Sequence, residues 1–135
     1  MRLKNEIIQQ LADEFAMKGV SIIILYGSAA TDKAETLKSD VDLAVAGEEL
    51  LTPEELSGLY LSASEIVQRE VDIVDLRRAM GFFLKEILTK GEIILNEDPG
   101  LLGSKAEEMM DYQTDLAPGV EAMLRQRLAR SLHAE

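Results

Sequence analysis

Residues 21–45 read SIIILYGSAATDKAETLKSDVDLAV: an apolar run closed by Gly27 and Ser28, a polar connection, and a second apolar run entered through Asp40 and Asp42. Side chains of a strand alternate between faces, so Asp40 and Asp42 share one face while Val41, Leu43 and Val45 fill the other. The connection from Gly27 to Ser39 is too short for a full crossover, which makes the two strands antiparallel. The exit of the first, with Ser28, then lies beside the entrance of the second, with Asp40. Two carboxylates on one surface repel unless a divalent cation sits between them, and Mg²⁺ takes one or two protein carboxylates plus substrate phosphates and water. Gly27 permits close backbone approach, and Ser28 can open a helix whose free N–H groups attract phosphate. Phosphate donors facing metal-binding acids describe a nucleoside triphosphate site; the alternative for Asp-x-Asp is a solvated face without a ligand.

A third acid occurs in EVDIVDL, residues 70–76. Alternation puts Asp72 with Val74 and Asp75 with Val71 and Ile73, so only one of the two acids can join the site. Asp72 lies near the start of its strand, as Asp40 and Asp42 do, and a helical crossover makes the two strands parallel. Asp72 is therefore the predicted third member, and Asp75 the N-cap of the next helix.

Around these runs the spacing predicts a helix over 2–18, with Leu3, Ile7, Ile8, Leu11 and Phe15 on one face and Gly19 as its stop. Thr52, Pro53 and Glu55 give a capping box and a first-turn proline for a helix over 53–68. A strand over 70–75 leads to a helix over 76–90 with Met80, Phe83, Leu84, Ile87 and Leu88 towards the core. Gly91 precedes the strand EIIL. Asp98-Pro99-Gly100 reads as a turn, and helical spacing over 103–117 and 119–133 is broken by Pro118-Gly119. The expected fold class is α/β (α+β): a mixed sheet of about four strands flanked by helices, with a core over 1–98 and a C-terminal helical tail over 99–135 of the same single domain. Met109, Met110, Leu116, Met123, Leu124 and Leu128 form an apolar stripe on that tail, which serves either the domain's own core or a partner.

Composition sets limits. A chain of 135 residues with 47% hydrophobic content is one domain with a buriable core. Met1 is followed by a charged amphipathic helix, and no stretch of the sequence is apolar enough to span a bilayer, so a soluble, cytoplasmic protein without a membrane role is expected. There is no cysteine and the one histidine is His133, so any metal is held by oxygen. A net charge of −11 argues against binding long nucleic acids and leaves a basic protein partner attractive.

The pattern resembles the signature of the polymerase-β-type nucleotidyltransferase superfamily. In size and layout it is similar to the minimal nucleotidyltransferases (MNT) that accompany HEPN-domain partners in bacteria and archaea. Gly27 and Ser28 match the Gly-Ser of that signature, Asp40 and Asp42 its Asp-x-Asp, and Asp72 its later acid. Two departures stand in the loop: eleven residues separate Ser28 from Asp40 where ten are usual, and the common Ala-Arg-Gly is here Ala30, Thr31, Asp32. Lys33 and Lys38 are the candidates to replace the arginine at the phosphates. The resemblance implies a nucleotidyltransferase-like fold, with Asp40, Asp42 and Asp72 as catalytic metal ligands for Mg²⁺, or Mn²⁺ in its place. It further implies ATP as substrate and transfer of AMP to a tyrosine of a HEPN toxin, with this chain as antitoxin. Homo-oligomerisation is compatible with it. Two alternatives stand beside this reading: a binding module that neutralises its partner by contact, and a transferase for small molecules.

Overall fold

The structure, a computed structural model, describes residues 3–27, 41–112 and 126. Ser28, Lys33, Lys38 and Asp40 lie outside the described residues, as does the tail stripe beyond Met110. Helix α1 (Asn5–Met17) buries Leu11 and Phe15 and ends at Gly19, whose φ of +87° suits a residue without a side chain. Strand β1 (Ile22–Tyr26) is buried along its whole length, which is why it reads as a continuous apolar run. β2 (Val41–Ala46) is also buried except at Asp42. Thr52 and Glu55 then close a capping box, with Glu55 N–H donating to Thr52 Oγ1 at 3.1 Å and Thr52 N–H to Glu55 Oε1 at 2.9 Å. Pro53 opens α2 (Pro53–Val67), which leads to β3 (Val71–Asp75).

The sheet order is β3-β2-β1-β4, with β4 spanning Glu92–Asn96. β1 pairs antiparallel with both β2 and β4, and β2 pairs parallel with β3, so the sheet is mixed as the short first connection and the helical crossover require. Alternation divides the core in two. Ile23, Leu25, Val41, Leu43 and Val45 pack under α1 and α2 with Leu11, Phe15 and Leu59. Ile22, Ile24, Tyr26, Ala44 and Ala46 pack on the other face against α3 (Gly81–Lys90) and α4 (Pro99–Tyr112), through Leu84, Ile87, Leu102 and Met109.

Three expectations need correction. The helix predicted over 76–90 is a short 3₁₀ turn over Leu76–Arg78 followed by α3 from Gly81. Met80 and Phe83, predicted to face the core, are 68% and 43% exposed. Arg77 explains the break: its Nε and Nη2 donate to Gly47 O at 3.2 and 2.9 Å, and Nη2 also to Glu48 O at 2.8 Å. From α4, the buried Lys105 Nζ donates to Ala79 O at 2.8 Å and Arg77 O at 3.3 Å, and pairs with Glu108 at 3.0 Å. The two Lys105 bonds satisfy carbonyls, of Arg77 and Ala79, that a continuous helix would have used internally. Finally, Pro99 and Gly100 belong to the first turn of α4. Asp98 accepts the N–H of Leu101 at 3.1 Å, and proline is favoured at a first helical position.

Candidate functional site

Three strand ends meet at one end of the sheet. β1 leaves at Tyr26 and Gly27, while β2 and β3 enter beside it. In the ladders Tyr26 is the partner of Asp42, and Asp42 is the partner of Asp72. Directly paired residues share a face, and neighbouring strands lie about 4.8 Å apart, so the two carboxylates stand side by side. Asp42 is half-buried and Asp72 exposed. Both project from the face that carries Ala44 and Val74.

Gly27 is built into this corner. Its φ is +76°, and a Cβ placed on it would overlap Asp42 Oδ2 and come within 3.2 Å of Asp42 Cγ. Only a glycine lets the chain turn against that carboxylate. Tyr26 registers the local charge: its phenol is pushed up from the ordinary 10.0 to about 12, by burial first and by the negative Asp42 and Asp72 next. The ring is held by Phe83 of α3, edge-on at 5.9 Å and 79°. Phe82 beside it is 62% exposed, with Lys85 Nζ 5.9 Å from its ring centre.

Asp75 has other work. It is 4% exposed, its Oδ1 accepts the N–H of Arg77 at 2.9 Å and its Oδ2 that of Leu51 at 2.8 Å. It caps the 3₁₀ turn and fastens the loop after β2, on the face opposite Asp72. Of the residues singled out from sequence, the structure thus brings together Gly27, Asp42 and Asp72. Tyr26 was not among them. Its signal was present, since it is the last residue of β1, on the Asp42 face and next to Gly27.

The donor set is hard carboxylate oxygen on one accessible surface, with a neighbouring phenol that already feels the surplus negative charge. This fits a divalent cation such as Mg²⁺. Among the described residues no group of three or more metal-ligating side chains occurs, and Asp40 lies outside them. Among the described residues, too, no helix is long and apolar enough to cross a membrane.

Comparison with known proteins gives a concordant result. The family model for polymerase beta, nucleotidyltransferase, matches residues 5–100. No curated protein matches the chain. Among solved structures, a chain of a toxin–antitoxin complex with AMP-PNP is 22% identical, with 96% of this chain and 98% of that one covered and a TM-score of 0.67. A chain of the MntA–HepT toxin–antitoxin complex is 23% identical over 95% and 94% of the two chains, with a TM-score of 0.58. A structure of tri-AMPylated Shewanella oneidensis HEPN toxin with MNT antitoxin gives 19% identity, 93% and 98% coverage and a TM-score of 0.58. At these identities the likeness to solved structures is one of fold.

Proposed function

The chain belongs to the polymerase beta nucleotidyltransferase family, and from that premise we propose that it transfers AMP from ATP to a hydroxyl of a protein partner. The proposed partner is a HEPN-domain toxin, the acceptor a tyrosine on it, and this chain its antitoxin. The observation that carries the reading is the pairing of Asp42 with Asp72 beside Gly27.

In this reading Asp40, Asp42 and Asp72 hold Mg²⁺, which supplies charge neutralisation at the triphosphate and the leaving group. Gly27 and Ser28 cradle phosphate through backbone N–H groups, with Lys33 and Lys38 as further donors. Asp72, the most exposed of the described carboxylates at this corner, takes the proton of the acceptor hydroxyl. The acceptor oxygen forms a bond to the α-phosphorus as the bond from that phosphorus to the bridging oxygen breaks. Pyrophosphate leaves with the electron pair.

The test is co-expression with a HEPN-domain toxin, followed by intact-mass analysis of that protein. Addition of one or more AMP groups, abolished by D42N, is the expected result. An unmodified partner, or one equally modified by D42N, overturns the proposal. A second reading is favoured by one observation: Ala30, Thr31 and Asp32 stand where the related signature has Ala-Arg-Gly. A chain with weakened phosphate contacts would neutralise its partner by contact, and inhibition that persists with Mg²⁺ chelated would support this reading.

A further inference from the structure

β3 is an edge strand, and it is the edge that carries Asp72. Its pairing with β2 fixes which of its backbone groups are used. Glu70 O accepts the N–H of Val41 at 2.8 Å, and the parallel ladder then runs in register through Val71, Asp72, Ile73 and Val74. In a parallel pair alternate residues of one strand bond to the neighbour. Glu70, Asp72 and Val74 therefore turn their N–H and C=O groups to β2, and Val71 and Ile73 turn theirs outwards. Among the described residues no strand pairs with that side.

An edge of this kind is a template for another extended chain. Beside it lies a groove of about 280 Å³ lined by Leu56, Ser57, Tyr60, Val71, Asp72 and Ile73. Leu56, Val71 and Ile73 give it apolar lining, and Tyr60, 40% exposed, stands on the α2 side. The groove and the carboxylate corner share Asp72. The opposite edge, β4, has no such connection, because β1 and β2 separate it from Asp72.

We infer that the outer edge of β3 binds the acceptor polypeptide as an added strand, with the hydroxyl-bearing residue opposite Asp72. This rests on the reading of the site as a transferase for a protein hydroxyl. Paired residues share a face, so the acceptor side chain opposite Asp72 emerges on the side of the carboxylates. Its two neighbours emerge on the other side, in the groove between Tyr60, Val71 and Ile73. The main chain supplies affinity through the N–H and C=O groups of Val71 and Ile73, and the groove selects small or apolar residues on either side of the hydroxyl. The occupant is thus an extended segment, and a helix or a folded surface does not satisfy the edge.

The test is residue-resolved amide hydrogen exchange on the full chain, alone and with the HEPN-domain toxin that it modifies on co-expression, without nucleotide. In the complex, exchange at Val71 and Ile73 slows by about tenfold or more, while Asp72 and Val74, already bonded to β2, change little. This two-residue period is particular to strand addition. A complex that leaves Val71 and Ile73 unchanged, or protects all four equally, overturns the inference, as does failure to form a complex. S57W, which fills the groove from an exposed helix position, raises the acceptor KM by about tenfold and leaves ATP affinity unchanged; an unchanged acceptor KM also overturns it. The two levels separate. AMP transfer without edge protection removes the docking strand and leaves the transferase reading, whereas edge protection without transfer does the reverse.

Discussion

Gly27→Ala tests the corner most directly, because two costs arise there and a second glycine separates them. A non-glycine residue in the left-handed region costs about 1–2 kcal/mol. Loss of chain entropy in the unfolded state returns about 0.4–1 kcal/mol on replacing glycine by alanine. The net expectation is a destabilisation of about 1 kcal/mol, or roughly 3–5 °C in Tm for a domain of this size. Gly19 has a φ of +87° and no heavy atom within 4 Å of a Cβ built on it, so G19A carries the same backbone cost and nothing more. At Gly27 the added methyl also overlaps Asp42 Oδ2, and the carboxylate must shift from its place in the corner. A displacement of about 1 Å at reacting groups costs on the order of a hundredfold in rate. Urea denaturation and single-turnover AMP transfer therefore give different patterns: both variants lose similar stability, and only G27A loses transfer. If G27A transfers AMP within about twofold of G19A, the glycine does not set the carboxylate and the geometric argument fails.

The two acids of β3 are expected to part in the same assays. D72N lowers transfer by about a hundredfold or more while stability stays within about 0.5 kcal/mol, whereas D75N costs about 1–3 kcal/mol, because an amide placed against the N–H groups of Leu51 and Arg77 leaves one unsatisfied. T52A breaks the capping box of α2 and costs about 1 kcal/mol in urea denaturation, with no change in nucleotide affinity by calorimetry. Spectrophotometric titration should find Tyr26 ionising near pH 12, and D42N should lower that value yet leave it above 10, since burial is the larger cause. The folded state keeps a proton that the unfolded state releases, so this contribution is complete below pH 10 and is lost as the pH rises towards 12; Y26F flattens that decline.

Local signals carried much of this fold into the sequence. The continuous apolar run of IIILY and the alternation in VDLAV gave two strands, the length of the connection gave their antiparallel pairing, and Thr52-Pro53-Glu54-Glu55 gave the start of α2 to the residue. Parity, with the strand-start position and the parallel pairing that a helical crossover requires, put Asp72 beside Asp42 and Asp75 on the other face as a cap. What escaped was long-range. Residues 76–90 have apolar spacing fit for one helix, but the Arg77 fork reaches Gly47 and Glu48, and Lys105 reaches back from α4 to Arg77 and Ala79. No spacing within 76–90 announces partners about thirty residues away, so the break, and the outward turn of Met80 and Phe83, could not be read locally. The same holds for the second bond of Asp75, to Leu51.

The ladder joins Ile22 to Ala46 and Tyr26 to Asp42 and so fixes which face each residue of β2 takes. A slip of one residue would drive Asp42 in beside Leu25 and bring Val41 and Leu43 out to the opposite face. Lengthening a loop is far cheaper, since even a doubling adds only about 0.6 kcal/mol. An extra residue between the strands therefore leaves the ladder in register and the acids where they were. The length and chemistry of the segment after Gly27 can therefore change without disturbing the pairing of Asp42 with Asp72, so one half of the site is open to change while the other is held by the sheet.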